Sequence, residues 1–137
     1  MTDARIDLTG RWTGVYFYPV HPEWNPEDDL PPVPFTAELQ DAAGLVTGTT
    51  LEPDDFEPDA RPIPATLEGH HFDDELIFTK FPDGGGQIHS IDYIGTISAD
   101  ANSVGGRWII HGEWSGTFQM QRKVVASIVS AESSATV

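Results

Sequence analysis

Histidines and carboxylates are the residues that could carry reactive chemistry in this chain, and their spacing decides which kind. Five histidines are present. His70 and His71 are adjacent, so in an extended chain they point to opposite faces, a poor arrangement for chelating one ion. His89 and His111 could join them only through tertiary convergence. The clusters Asp28-Asp29, Asp54-Asp55 and Asp73-Asp74-Glu75 supply oxygen ligands, but none follows the spaced Asp-x-Asp-x-Asp-Gly pattern of a calcium loop. They read as solvated acidic faces, and neither a metal site nor a cofactor is expected. Nucleophile elbow, phosphate loop and dinucleotide fingerprint motifs are absent from the sequence. The triplet Gly84 to Gly86 falls between two strand signals, with no helix behind it to cradle an anion. Acid–base chemistry would fall to Asp92, Tyr16 or His111, which no motif pairs. Aromatic surface is what remains, and above all Trp12, Tyr16, Tyr18, Tyr93, Trp108 and Phe118.

The elements that must position these residues are strands. Residues 10–18, GRWTGVYFY, are aromatic and β-branched, with Trp12, Gly14, Tyr16 and Tyr18 on one face and Val15 and Phe17 on the other. Alternation continues over 35–40 and 45–52. The turn between those two runs is expected over Asp41-Ala42-Ala43-Gly44, and alternation recurs over 65–69 and 75–81 around an acidic link at 70–74, and then over 88–97, 104–110 and 115–123. Eight short strands joined mostly by tight turns, without helical crossovers, predict an all-β fold. Sequential hairpins favour an eight-stranded antiparallel up-and-down β-barrel. The interior glycines Gly14, Gly48, Gly95, Gly106 and Gly116 fit tight coiling in a narrow barrel. Two Pro-rich acidic connections, 19–34 and 52–64, would then lie at one mouth together with the glycine turn, where loops on a rigid scaffold concentrate binding residues. Residues 1–123 form the expected single domain, and 124–137 an added tail.

Composition narrows the partners. The chain of 137 residues has no cysteine, 22 acidic and 7 basic residues, and a formal net charge of −15. That charge repels phosphate backbones and anionic bilayers, so no nucleic acid and no membrane partner is expected. The first residues carry neither a basic segment nor an apolar one, and the expectation is a cytoplasmic protein. The outward Val15 and Phe17, with Ile77 and Ile109, would give an apolar flank, from which a homodimer through the barrel wall is expected.

Several short segments carry a resemblance. Leu8-Thr9-Gly10-Arg11-Trp12, Val46-Thr47-Gly48-Thr49-Thr50 and Tyr93-Ile94-Gly95-Thr96-Ile97 resemble the first, third and sixth strands of avidin and streptavidin. Arg107-Trp108-Ile109-Ile110 and Thr117-Phe118 resemble their seventh and eighth. A Gly-x-Trp start followed by a basic residue on the last strand is also similar to the wider calycin group, lipocalins included. The resemblance implies an eight-stranded barrel with a ligand site at its open mouth, and a closed end where Trp12 meets Arg122. It departs from the avidin pattern at Gly14, where that family has a biotin-binding asparagine, and at Thr50, where it has a tyrosine. Trp108 matches the pocket tryptophan of the seventh strand, and Tyr93 stands where the sixth strand has another. An aromatic pocket wall survives the comparison, whereas its polar recognition groups do not.

The function expected on these grounds is non-catalytic binding of a small, partly apolar molecule against Tyr16, Tyr18, Thr50, Tyr93 and Trp108, with a neutral or cationic ligand favoured by the acidic loops. Lys80 or Arg61 near the mouth could locally reverse that charge preference. Two alternatives stand beside it: a small barrel enzyme of isomerase or cyclase type, and a protein-interaction module using the acidic Pro-rich loops.

Overall fold

A computed structural model of the chain describes residues 6–54, 61–83 and 89–123. Its eight strands are β1 (Gly10–Phe17), β2 (Val33–Ala42), β3 (Leu45–Glu52), β4 (Ile63–Phe72), β5 (Glu75–Pro82), β6 (Ile91–Ile97), β7 (Ser103–Ile110) and β8 (Trp114–Arg122). Each pairs antiparallel with the next, and β8 returns to β1 with Tyr16 opposite Phe118, so the sheet closes into a barrel. The fold is the expected all-β, up-and-down barrel, and closure leaves no unpaired sheet edge. The expected turn at Gly84 to Gly86, Phe56 of the second long loop and the tail 124–137 lie outside the described residues.

Alternation sorts the side chains. On β2, Val33, Phe35, Ala37 and Leu39 are buried while Pro34, Thr36, Glu38 and Gln40 are exposed. That period of two places one set in the bore and the other in solvent. Pro34 is the second residue of β2, before the β2–β3 ladder begins at Thr36↔Leu51, a strand-end position of the kind that tolerates proline. Tight coiling also accounts for the glycines. A Cβ on Gly14 would stand 2.4 Å from the Phe35 ring, and one on Gly116 would stand 2.6 Å from the Trp108 indole nitrogen. Large rings therefore lie across glycine backbone in a narrow bore.

The fourth strand runs further than its sequence suggests. Residues 70–72 continue β4, and the acidic link shrinks to a turn at Asp73-Asp74. The cause is tertiary. The His71 imidazole Nε2 lies 2.6 Å from Asp41 Oδ2, both side chains being almost fully buried, and the His71 N–H donates to Gly44 O. Asp41 also accepts the Leu8 N–H through Oδ2 and the Gly44 N–H through Oδ1. One carboxylate thus ties the segment before β1, the β2–β3 turn and the end of β4 together. His71 is committed to this latch, and His70 is exposed on the outer wall.

Trp12 plugs the same end. It is fully buried, its indole N–H donates to Leu8 O, and the Arg122 guanidinium lies 4.8 Å from its ring centroid. Arg122 also donates to the carbonyls of Asp7, Thr9 and Ala101, which fastens the last strand to the chain before the first. Val15, Phe17, Ile77 and Ile109, the flank on which a homodimer was expected, are half-buried on the outer wall. Replacing Trp12 with alanine removes a plug ring and leaves Arg122 without its stacking face. The expected cost is about 3–5 kcal/mol, read as a lowered urea midpoint with an unchanged slope; a loss under about 1 kcal/mol would place Trp12 outside the core.

Candidate functional site

Above the plug the bore fills in layers. Phe78 and Tyr93 stack at 4.7 Å, and Phe118 meets Tyr93 edge-on at 5.0 Å. Toward the long-loop end the filling stops, and an open cavity of about 710 Å³ remains. Its walls are Tyr16, Tyr93, Trp108, Ile91 and Ile110 from the strands, Tyr18 just past β1, and Trp114 at the start of β8. The connection between β1 and β2 contributes Glu23, Trp24, Leu30 and Pro31.

That connection is built to present Trp24. The buried Asn25 donates through its side-chain amide to Pro19 O and accepts the N–H groups of Asp29 and Leu30. The His21 Nδ1 accepts the N–H groups of Glu23 and Trp24, capping the turn as an aspartate or asparagine would. Its ring stacks on Trp24 at 4.3 Å, and Trp24 meets Trp114 edge-on at 5.2 Å. Trp114 in turn stacks on Tyr18 at 5.1 Å. The aromatic run continues inward, with Tyr18 edge-on to Trp108 and Trp108 edge-on to Tyr16. Trp108 is pinned by its indole N–H donating to Phe17 O.

The cavity floor is charged. Lys80 is on the inner face of β5 after Leu76 and Phe78, and Glu52 closes the inner face of β3 after Val46 and Thr50. Their side chains meet across β4, Lys80 Nζ donating to Glu52 Oε1 at 2.7 Å, with only 7% and 12% of each exposed. Tyr16 donates its hydroxyl to Glu52 Oε2 at 2.5 Å. The ammonium also stands 5.0 Å from the Tyr16 ring centroid and 5.7 Å from that of Tyr93. Burial works against the Lys80 charge, but interaction with Tyr93 and with the Glu52 carboxylate outweighs it and holds the ammonium above the ordinary lysine value. At neutral pH the carboxylate carries that effect, because burial keeps the Tyr93 phenol protonated. Burial, and then the Glu52 charge, likewise push the Tyr16 phenol far above its usual range. The floor is therefore a protonated lysine, a carboxylate and two neutral phenols.

The structure brings Tyr16, Tyr18, Tyr93 and Trp108 to one cavity but leaves Thr50 out of its wall. Thr50 lies a layer deeper, against a void of about 10 Å³ that Lys80 and Tyr93 also border. Its hydroxyl is buried without a hydrogen-bond partner among the described residues. Of the acid–base candidates Asp92, Tyr16 and His111, Tyr16 lines the cavity and the other two do not. Ile91 and Tyr93 point inward, so Asp92 points out, where Thr79 Oγ1 donates to it and His111 Nε2 stands 2.6 Å away with its side chain 72% exposed. The hydrogen bond from Thr79, then the contact with His111, lowers the Asp92 carboxyl below its ordinary value. Lys80 lies at the floor rather than at the rim, and Arg61 is exposed. Glu52, Trp24 and Trp114 escaped the sequence reading, although Glu52 shares strand parity with Val46 and Lys80 with Phe78. Among the described residues no group of three histidines, cysteines or carboxylates is placed to hold a metal ion.

Fold and cavity define a class: a small closed antiparallel barrel with a packed lower bore and an open, aromatic-walled mouth. No protein-family model and no curated protein matches the chain. Among solved structures it is similar to a de novo designed fluorescence-activating β-barrel, with a TM-score of 0.59 and 17% identity over 90% of this chain and all of that one. Likeness at that level is a likeness of fold.

The ion pair makes two outcomes measurable. Lys80→Met strands the Glu52 carboxylate and is expected to cost about 3–5 kcal/mol, whereas Lys80→Met combined with Glu52→Gln, which keeps an acceptor for Tyr16, recovers most of that loss. Equal losses for the single and double variants in urea unfolding would show that the pair is solvated. Lys80 and Tyr16 both hold their protons more tightly in the fold than a free lysine or tyrosine does. Their contribution is complete below about pH 10 and is lost as pH rises further. The wild-type urea midpoint is therefore expected to hold up to about pH 10 and to fall above it, and the double variant's to fall less.

Proposed function

We propose that this protein binds one small, partly apolar molecule in the barrel mouth without transforming it, as the calycin and avidin type of architecture would allow. The carrying observation is the cavity of about 710 Å³ whose walls are tyrosine and tryptophan rings and whose polar groups are gathered at one end. That volume falls in the range of small-molecule sites, about 300–1,000 Å³, which combine apolar walls with a few fixed polar groups. A bore needed only as a core would be filled to the rim. Edge-to-face contacts fix the rings before any ligand arrives, which lowers the ordering cost of binding. The similar designed barrel, described as fluorescence-activating, is in keeping with a function lodged in this architecture. Rim carboxylates Glu23 and Glu113, set in a chain of net charge −15, weigh against an anionic ligand.

The test is titration with a neutral solvatochromic dye such as Nile red, followed by dye emission and by quenching of Trp24 and Trp114. One-to-one binding with blue-shifted emission is expected. Ile63→Trp, which fills the cavity from a half-exposed position at its edge, should weaken it at least about tenfold, the equivalent of 1.4 kcal/mol. Dye binding that survives Ile63→Trp unchanged would put the dye elsewhere and leave the mouth without a ligand.

A further inference from the structure

Building on the mouth-cavity reading, we propose that the occupant is an uncharged, planar, conjugated molecule that enters polar end first and presents a carbonyl oxygen to Lys80 and Tyr93. Charge balance at the floor carries the first part. Lys80 and Glu52 neutralise each other at 2.7 Å, with side chains only 7% and 12% exposed. A carboxylate on the ligand would draw Lys80 away from Glu52, and an ammonium would draw Glu52 away from Lys80. Either exchange leaves a net charge in a site with little water to solvate it. The rim adds a second barrier to anions, because Glu23 and Glu113 face the same cavity and, among the described residues, only Glu113 has a cation-capable partner, His89 Nε2 at 2.9 Å.

Donor and acceptor counting carries the rest. Each Glu52 oxygen already accepts one hydrogen bond, from Lys80 and from Tyr16. An ammonium has three N–H donors; one goes to Glu52, the Tyr93 hydroxyl oxygen is a second partner, and one is left over. The Tyr93 phenol lies beside it on the next strand and borders the same cavity. Lys80 therefore keeps N–H donor capacity, and Tyr93 its hydroxyl proton, for an acceptor that enters the cavity, and an oxygen acceptor without a charge leaves the Lys80–Glu52 pair intact. Above the floor Tyr16, Tyr18 and Trp108 stand mutually edge-on, which leaves flat faces for a planar body to lie against.

Four matched naphthalenes test this on the full chain by calorimetry at pH 7: 2-ethylnaphthalene, 2-acetylnaphthalene, 2-naphthoate and 2-naphthylmethylammonium. The ketone should bind at least about tenfold tighter than the hydrocarbon, as a hydrogen bond from a charged donor allows, and both ions should bind more weakly than the hydrocarbon. In the Lys80→Met, Glu52→Gln double variant the ketone's advantage, taken as the ratio to the hydrocarbon measured on the same variant, should shrink several-fold, the Tyr93 hydroxyl alone remaining to meet the carbonyl. An infrared measurement on the wild type stands independently of that variant: the carbonyl band of bound ketone should lie below its position in hydrocarbon solvent. Either ion binding as tightly as the ketone, a ketone no better than the hydrocarbon, or an unshifted carbonyl band would overturn the inference while leaving the cavity reading intact. Failure of all four probes to bind would sink the cavity reading itself, and this inference with it.

Discussion

Everything in this molecule depends on closure between its first and last strands. Without the β1–β8 ladder, in which Tyr16 lies opposite Phe118, the sheet would keep two unpaired edges and an inner face half open to water. Closing it produces a bore so narrow that several positions on it have no room for a Cβ, and glycine is the residue that fits. Closure also needs a fastening that does not rely on the ladder alone. Arg122 supplies one by stacking on Trp12 and donating to carbonyls on both sides of the seam. The Asp41 latch supplies another, by engaging Leu8, Gly44 and His71 from one buried carboxylate.

Once that end is sealed, the other can be left unfilled. Aromatic stacking in the middle of the bore, Phe78 on Tyr93 with Phe118 against them, separates the plug from the mouth. The cavity then rests on a dry platform, and polar groups placed on it interact more strongly than they would in water. Lys80 and Glu52 occupy that platform. A buried pair of this kind adds little net stability, because desolvation of both ions offsets their attraction. What the pair does confer is a fixed orientation: the Tyr16 hydroxyl, the Glu52 carboxylate and the Lys80 ammonium hold one another, and the aromatic wall is anchored by its polar tips.

The outer wall shows the opposite outcome for similar residue types. Asp92 and His111 form a close pair, as Asp41 and His71 do, yet His111 is 72% exposed while His71 is 8% exposed. Strand parity makes the difference. Asp92 is flanked by the inward Ile91 and Tyr93 and so must point to solvent. A carboxylate and a histidine in hydrogen-bonding range therefore serve as a structural latch at one place and as a solvated surface pair at the other.

Alternation along the chain determined the strands, their inner and outer faces, and the order in which hairpins meet. These are local properties, written in a period of two and in turn signals such as the Asp41 to Gly44 segment, and they made the barrel and the inward Tyr16, Tyr93 and Trp108 legible from residue types alone. Parity also placed Glu52 and Lys80 on inner faces, but a charged residue at an inner position normally argues against burial, so nothing local distinguished them from residues at a wet rim. Only the tertiary structure decided that these two charges, 28 residues apart on strands separated by β4, would meet inside the bore. It also decided that Thr50 would sit beneath them and that the Pro-rich connection would fold Trp24 against Trp114. The reason is physical: burial of a charge depends on whether an opposite charge and donors converge on it in space, and convergence is a property of the closed barrel rather than of any strand within it.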